Sequence, residues 1–149
     1  MAGDPSDPQR FAFRKTERLR HRRTFEHLFQ HVSSFRVDVL TFLYAFDLPA
    51  GLVTDPLMAA MVAPKRQFRR ANRRNLLRRR MKEAWRLHKH SLRSELALHG
   101  RSLAVLVKYN ARYESEYAAI EAAMRHGMHR LARHARKPAP PPAPAAGPA

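Results

Sequence analysis

From Lys65 to Lys89 the chain reads KRQFRRANRRNLLRRRMKEAWRLHK, twelve arginines and lysines against a single glutamate. Like charges at i, i+4 destabilise an isolated helix by about 0.2–0.5 kcal/mol per pair, so a helix here must be held by something outside itself. Leu77, Met81, Ala84, Trp85 and His88 recur at helical spacing and define an apolar seam that can dock on a sheet. Arg74, Arg78 and Lys82 follow one another along the flank. The pattern predicts a helix from about Arg70 toward Leu98, one side buried and the other left for an anionic partner. His99 and Gly100 close it, glycine being the usual residue just past a helix end.

The rest of the chain does not offset this charge. Its 149 residues carry 29 Lys and Arg against 12 Asp and Glu, a formal charge of +17. Self-repulsion on that scale weakens the compact state unless a polyanion neutralises it, which makes nucleic acid the leading partner and a membrane surface the second. The length suits one domain with one modest core. There is no cysteine, hence neither a disulfide framework nor a thiolate metal site. The opening MAGDPSDPQR lacks the apolar core of a signal peptide, and no apolar run approaches the ~20 residues that cross a bilayer. A soluble, cytoplasmic protein with no membrane partner is expected.

Residues 1–13 and the closing RKPAPPPAPAAGPA, residues 136–149, bury too little apolar surface to offset the entropy of ordering, so structure is expected over 14–135. Within that span RRTFEHLFQHVSS places Phe25, Leu28, Phe29 and Val32 on one helical stripe, with Thr24 as N-cap. FRVDVLTFLYAFDLP alternates Phe42, Tyr44 and Phe46 with Thr41, Leu43 and Ala45, which is strand chemistry. PLMAAMVAP is apolar on both faces and suits a central, covered strand ended by Pro64; RSLAVLVKY suits a second. Tyr113, Tyr117, Ile120, Met124, Met128 and Leu131 form one stripe of a last helix, with Glu114, Glu116 and Glu121 on its polar face. Gly127 interrupts it at a cost of about 1 kcal/mol relative to alanine. The order is helix, two or three strands, long helix, strand, helix: an α+β sandwich with helices over one antiparallel or mixed sheet.

Arginine far outnumbers lysine in the basic helix, and a planar guanidinium can hold a phosphate with two bonds or stack on a base. RNA or DNA phosphate therefore fits better than lipid. The residues then carry a resemblance. RRNLLRRRMKEAW resembles the signature helix of the protein subunit of bacterial ribonuclease P, an Arg-Asn pair followed by an aliphatic residue, two basic residues and a Glu-Ala-aromatic turn. RLRHRRTFEHLF resembles that family's first helix, with Phe25 and Phe29 as its paired phenylalanines. FLYAFD resembles its strand with a tyrosine, here Tyr44, and MVAPKRQFRRANRRN its strand and loop before the signature helix. Together these stretches fall within residues 17 to 132. Two features depart from the pattern: Leu76 stands where a third signature arginine is commonest, and Phe68 and Arg69 where many members have a glycine.

The resemblance implies an α-β-β-β-α-β-α two-layer sandwich with a left-handed βαβ crossover around the basic helix, an exception to the right-handed rule. It implies docking on a catalytic RNA subunit through Lys65, Arg66, Arg70, Arg73, Arg74, Asn75, Arg78, Arg79, Arg80 and Lys82. It also implies a cleft for the single-stranded 5′ leader of precursor tRNA, with Arg18, Arg20, Phe25, Phe29 and Tyr44. The expected cofactors are that RNA and Mg²⁺ held mainly by it, and the expected assembly is one protein with one RNA. The resemblance also implies that hydrolysis of the phosphodiester belongs to RNA and metal. The chain itself offers no Ser/His/Asp constellation, Gly-rich phosphate loop or usefully spaced carboxylate pair.

Plainer readings stand beside these. Phe25 and Phe29 can be core residues of any amphipathic helix, although Leu28 and Val32 could anchor that helix instead. Tyr44 serves equally at a core edge or against a base. His27 and His31 at i, i+4 suggest zinc, but two further ligands are wanting, and phosphate contact suits them better. Charge and fold class also fit a ribosomal protein or RNA chaperone with no role in cleavage. A basic leucine zipper does not fit, because Leu87, Leu92, Leu96 and Leu98 do not keep a seven-residue period.

Overall fold

Side-chain alternation along the second strand decides the layering. Phe42, Tyr44 and Phe46 join one hydrophobic cluster while Leu43 and Ala45 join another, so the sheet is packed on both faces. The computed structural model describes residues 13–137. In chain order the elements are α1 (Arg22–Gln30), β1 (Ser33–Val37), β2 (Leu40–Phe46), β3 (Leu57–Val62), α2 (Ala71–Leu98), β4 (Leu103–Tyr109) and α3 (Tyr117–Arg136). This is the α-β-β-β-α-β-α order of a mixed α+β protein. The expected N-terminal arm and C-terminal tail lie outside the described residues except at their inner ends, where Phe13 packs on the main core and α3 runs through Arg136.

The sheet order is β1-β2-β4-β3. β2 pairs antiparallel with both β1 and β4, and β3 runs parallel to β4, with α2 as the crossover between them. FRVDVLTFLYAFD makes a hairpin rather than one strand. Val37 pairs with Leu40 across Asp38 and Val39, and Asp38 takes φ +51, a left-handed conformation that a short polar side chain tolerates. β4 is central and buried except at Lys108, as its all-apolar run implies. β3 is the correction: it lies at the edge, not the centre. Its apolar outer side is explained by the approach segment to α1, where Arg18 bridges Ala59 and the Leu19 amide donates to the Ala59 carbonyl at 2.9 Å.

α2 and α3 form the layer over the Phe42 face. Leu77, Met81, Ala84, Trp85, Leu92 and Leu96 of α2 are buried there against Leu57, Leu103, Val105 and Val107. One seam position is corrected. His88 is half-buried with Nε2 3.6 Å from Glu121, and it is Lys89 that lies buried. α2 ends as expected at His99 and Gly100: Gly100 has φ +61, its amide donates to Ala97, and the Arg101 amide donates to Leu96 at 2.9 Å. That pair of bonds satisfies the last carbonyls of the helix.

Gly127 is explained by a close approach. A Cβ there would stand 2.1 Å from Cζ of Phe42, so its absence lets α3 lie directly on β2. α3 begins at Tyr117, leaving Tyr113 exposed and Glu114 and Glu116 ahead of the helix rather than on its polar face. α1 covers part of the opposite face, with Leu28 against Ala45, Met58, Ala104 and Leu106. Its N-cap is His21, and Thr24 is a buried residue inside the first turn.

Candidate nucleic-acid interface

The approach to α1 is fixed by buried charge. Glu17 is 4% exposed; it accepts from Lys89 Nζ at 2.6 Å, from Arg93 Nη1 at 2.8 Å and from the Arg14 amide at 3.1 Å. Arg93 reaches on to Asp55 Oδ2 at 2.9 Å, and Asp55 Oδ1 accepts the Leu57 amide. Burial pushes the Lys89 ammonium below its ordinary value while the Glu17 carboxylate holds it up. One α2 turn, the start of β3 and residues 14–19 are thereby tied together, which sets the backbone from which Arg18 and Arg20 project as exposed side chains. The sequence signal for this cluster was Lys89, four residues past Trp85 and thus on the seam, where a lysine is readily passed over as surface.

On α1 the four-residue stripe divides. Leu28 is fully buried, Phe25 is half-buried, and Phe29 is 54% exposed, with Val32 also open. Leu28 anchors the helix, and Phe25 and Phe29 present an aromatic edge to solvent. Beside them Arg23, Glu26, His27 and Gln30 face Pro49, Gly51 and Leu52 across a cleft of about 320 Å³. His27 is pushed down by burial and then by His31, whose ring centroid is 4.4 Å away. Among the described residues no group of three or more His, Asp or Glu converges on a metal position.

Tyr44 is not part of that surface. It lies on the other face of the sheet, stacked on His134 of α3 at 5.8 Å and edge-on to Phe35 and Phe46. Strand alternation separates it from α1, since Leu43 and Ala45 are the residues that turn that way. Cations cap this second aromatic row, with Arg130 4.4 Å from the Phe35 ring centre and Arg101 4.3 Å from that of Phe46. Arg130 and His134 of α3 and Arg101, just ahead of β4, are not legible in sequence because their aromatic partners lie far away along the chain.

The basic flank of α2 sorts into anchored and outward residues. Arg74 donates to the carbonyls of Phe68 and Arg69, both at 2.8 Å, and so braces the loop before the helix. Arg80 donates to the Ser115 carbonyl at 2.7 Å, and Arg73 lies 3.4 Å from Glu114. Asn75 accepts from Arg78. Lys65, Arg66, Arg70, Arg79 and Lys82 are exposed. These ten residues lie on one stretch, away from the buried Leu77, Met81 and Trp85.

A model of the ribonuclease P family matches residues 13–134. The chain belongs to the ribonuclease P protein family. Membership makes it the protein subunit of a tRNA-processing ribonucleoprotein. The solved ribonuclease P protein of Staphylococcus aureus is similar in fold, with a TM-score of 0.59 at 15% identity over 80% of this chain and 97% of that one. No curated protein matches. Against the ribonuclease P signature the departure at Leu76 is visible: its side chain is half-buried beside the sealed Leu77, while the Arg74 and Asn75 side chains are held by local bonds. Among the described residues no helix is long and apolar enough to cross a membrane.

Proposed function

We propose that the chain works in the cytoplasm, bound one to one with the catalytic RNA of ribonuclease P, and assists that RNA in endonucleolytic removal of the 5′ leader from precursor tRNA. The observation that carries this reading is the placement of two polar surfaces on opposite sides of one sheet. The β3–α2 connection presents Lys65, Arg66 and Arg70 outward and α2 presents Arg79 and Lys82, while α1 presents Phe25 and Phe29 with Arg18, Arg20 and Arg23 nearby on the chain. The first surface suits a folded RNA read through phosphate. The second suits a single strand, because exposed aromatic rings stack bases without reading sequence. Tyr44 is left out of the leader surface on the geometry above.

In this reading Mg²⁺ is held by the RNA, which the donor set of the chain supports. Glu17, Asp47, Asp55, Glu83 and Glu95 are each engaged by arginine or lysine, and a hard cation needs several converging oxygens. Bound in the RNA, the metal supplies the activated hydrolysis. The protein's residues neutralise phosphate and hold the leader, which lowers the repulsion between two polyanions.

Leader dependence tests the reading. The chain assembled with a ribonuclease P RNA should bind precursor tRNA more tightly than mature tRNA, and the preference should exceed that of the RNA alone. Equal affinity for both would instead favour a structural RNA-binding protein with no role in cleavage.

A further inference from the structure

Between the middle of α2 and the start of α3 lies a groove of about 530 Å³ lined by Phe13, Arg79, Arg80, Lys82, Glu83, Arg86 and Tyr117. Its walls are aromatic: Phe13 and Tyr117 are half-buried and packed against the main core, which holds each ring in place. Its rim is cationic. Arg79 and Lys82 are exposed, and Arg80 is positioned by its bond to the Ser115 carbonyl. The one acid, Glu83, is covered by Arg86, whose Nη2 and Nε lie 2.7 and 3.1 Å from its two oxygens. That pairing holds the Glu83 carboxyl below the usual range, so the rim presents net positive charge. The Tyr117 phenol is pushed up to about 12, by burial first and then by the Glu121 carboxylate, and stays neutral.

Two rings flanking an apolar floor, ringed by arginine and lysine, match the two halves of a nucleotide. An unstacked base has two π-faces and little charge, and its phosphates are anions. Lipid and acidic peptide fit less well, since neither offers a planar group to the ring pair. We infer that this groove receives an extruded, unpaired base of the RNA subunit, stacked against Tyr117 and Phe13, with its flanking phosphates held by Arg79 and Lys82. The inference rests on the ribonuclease P reading and adds a base-binding pocket to a surface otherwise read as phosphate-binding. The RNA subunit, not the leader, is the occupant, because Arg79, Arg80, Lys82, Glu83 and Arg86 of the lining all belong to α2, whose outward flank the groove continues.

The test compares Tyr117→Leu, Phe13→Leu and Lys82→Ala in the full chain, titrated with a ribonuclease P RNA over a range of salt. Each leucine keeps apolar bulk and removes the π-face, and thermal unfolding checks that each variant is folded. If either variant fails to fold, the other carries the comparison. Loss of stacking should raise Kd about 5- to 140-fold. It should leave the slope of log K against log salt unchanged, whereas Lys82→Ala should reduce that slope by about 0.7 to 0.9. Unchanged affinity in folded leucine variants would overturn the inference, as would a leucine variant that loses only its preference for precursor over mature tRNA. Self-association abolished by Tyr117→Leu, with RNA affinity intact, would also overturn it by making the groove a protein contact. If the unsubstituted chain does not bind the RNA at all, it is the ribonuclease P reading that fails.

Discussion

Nζ of Lys89 lies 2.6 Å from Oε2 of Glu17, and the two residues are 2% and 4% exposed. The bond joins the middle of the long basic helix to the segment that leads into α1, so an electrostatic contact sealed from water sets how the two proposed RNA surfaces sit on one sheet. Removing one partner of a buried pair leaves the other charge uncompensated, at a cost of about 3–5 kcal/mol. Glu17→Gln should therefore destabilise the fold by that order in urea unfolding. Lys89→Met should cost less, because Glu17 keeps Arg93 at 2.8 Å. The reverse ranking would show that the carboxylate is not the hub.

The contact between α3 and β2 gives a second expectation. Because a Cβ on Gly127 would meet the Phe42 ring at 2.1–2.8 Å, Gly127→Ala should destabilise the protein by about 1–3 kcal/mol despite alanine's better helix propensity. Adding Phe42→Leu should recover part of that loss, and the non-additivity can be read from a double-mutant cycle of urea midpoints. Simple additivity would mean that the two sites do not touch.

Phe29 and Tyr44 separate leader binding from packing. Phe29→Ala, at a residue 54% exposed, should change stability by under about 0.5 kcal/mol and lower the preference for precursor over mature tRNA by about 5- to 140-fold. Tyr44→Ala should do the opposite, reducing the unfolding midpoint through lost packing on Phe35, Phe46 and His134 while the preference stays. Paired binding and unfolding measurements on both variants decide it.

His134 predicts a pH effect on stability. Its folded pKa lies below 6.5 because burial and then Lys137, Arg130 and Arg133 disfavour the imidazolium. The folded chain then binds fewer protons than the unfolded one below the unfolded value, so this contribution is intact above about pH 6.5 and is lost progressively as pH falls toward the lowered value. His134→Phe keeps a ring against Tyr44 and cannot titrate. Its urea midpoint should fall less than that of the unsubstituted chain between about pH 7.5 and about pH 5.5. An identical fall would place the sensitivity elsewhere.

Much of this was legible in sequence because period and chemistry agree there. The α2 seam through Leu77, Met81 and Trp85, the buried run of β4 and the His99–Gly100 stop follow from patterns of a few residues, and the signature Arg74–Asn75 pair points to the family. What escaped depends on partners distant in sequence. Lys89 reads as surface until Glu17, 72 positions earlier, is brought against it. An apolar strand looks central whether its outer edge is covered by another strand or, as for β3, by the Arg18–Leu19 segment. The resemblance groups Tyr44 with α1, whereas its own alternation with Leu43 and Ala45 puts it on the far face. Gly127 looked like a weak point in a helix; only the Phe42 ring explains it.

The most direct test of a supporting role in leader removal is cleavage itself: a ribonuclease P RNA with precursor tRNA at low Mg²⁺, with and without the chain. Leader removal leaving a 5′ phosphate should be restored by the protein and should require the RNA, with no cleavage by the protein alone. Absence of stimulation by the folded chain, or cleavage without the RNA, would contradict it.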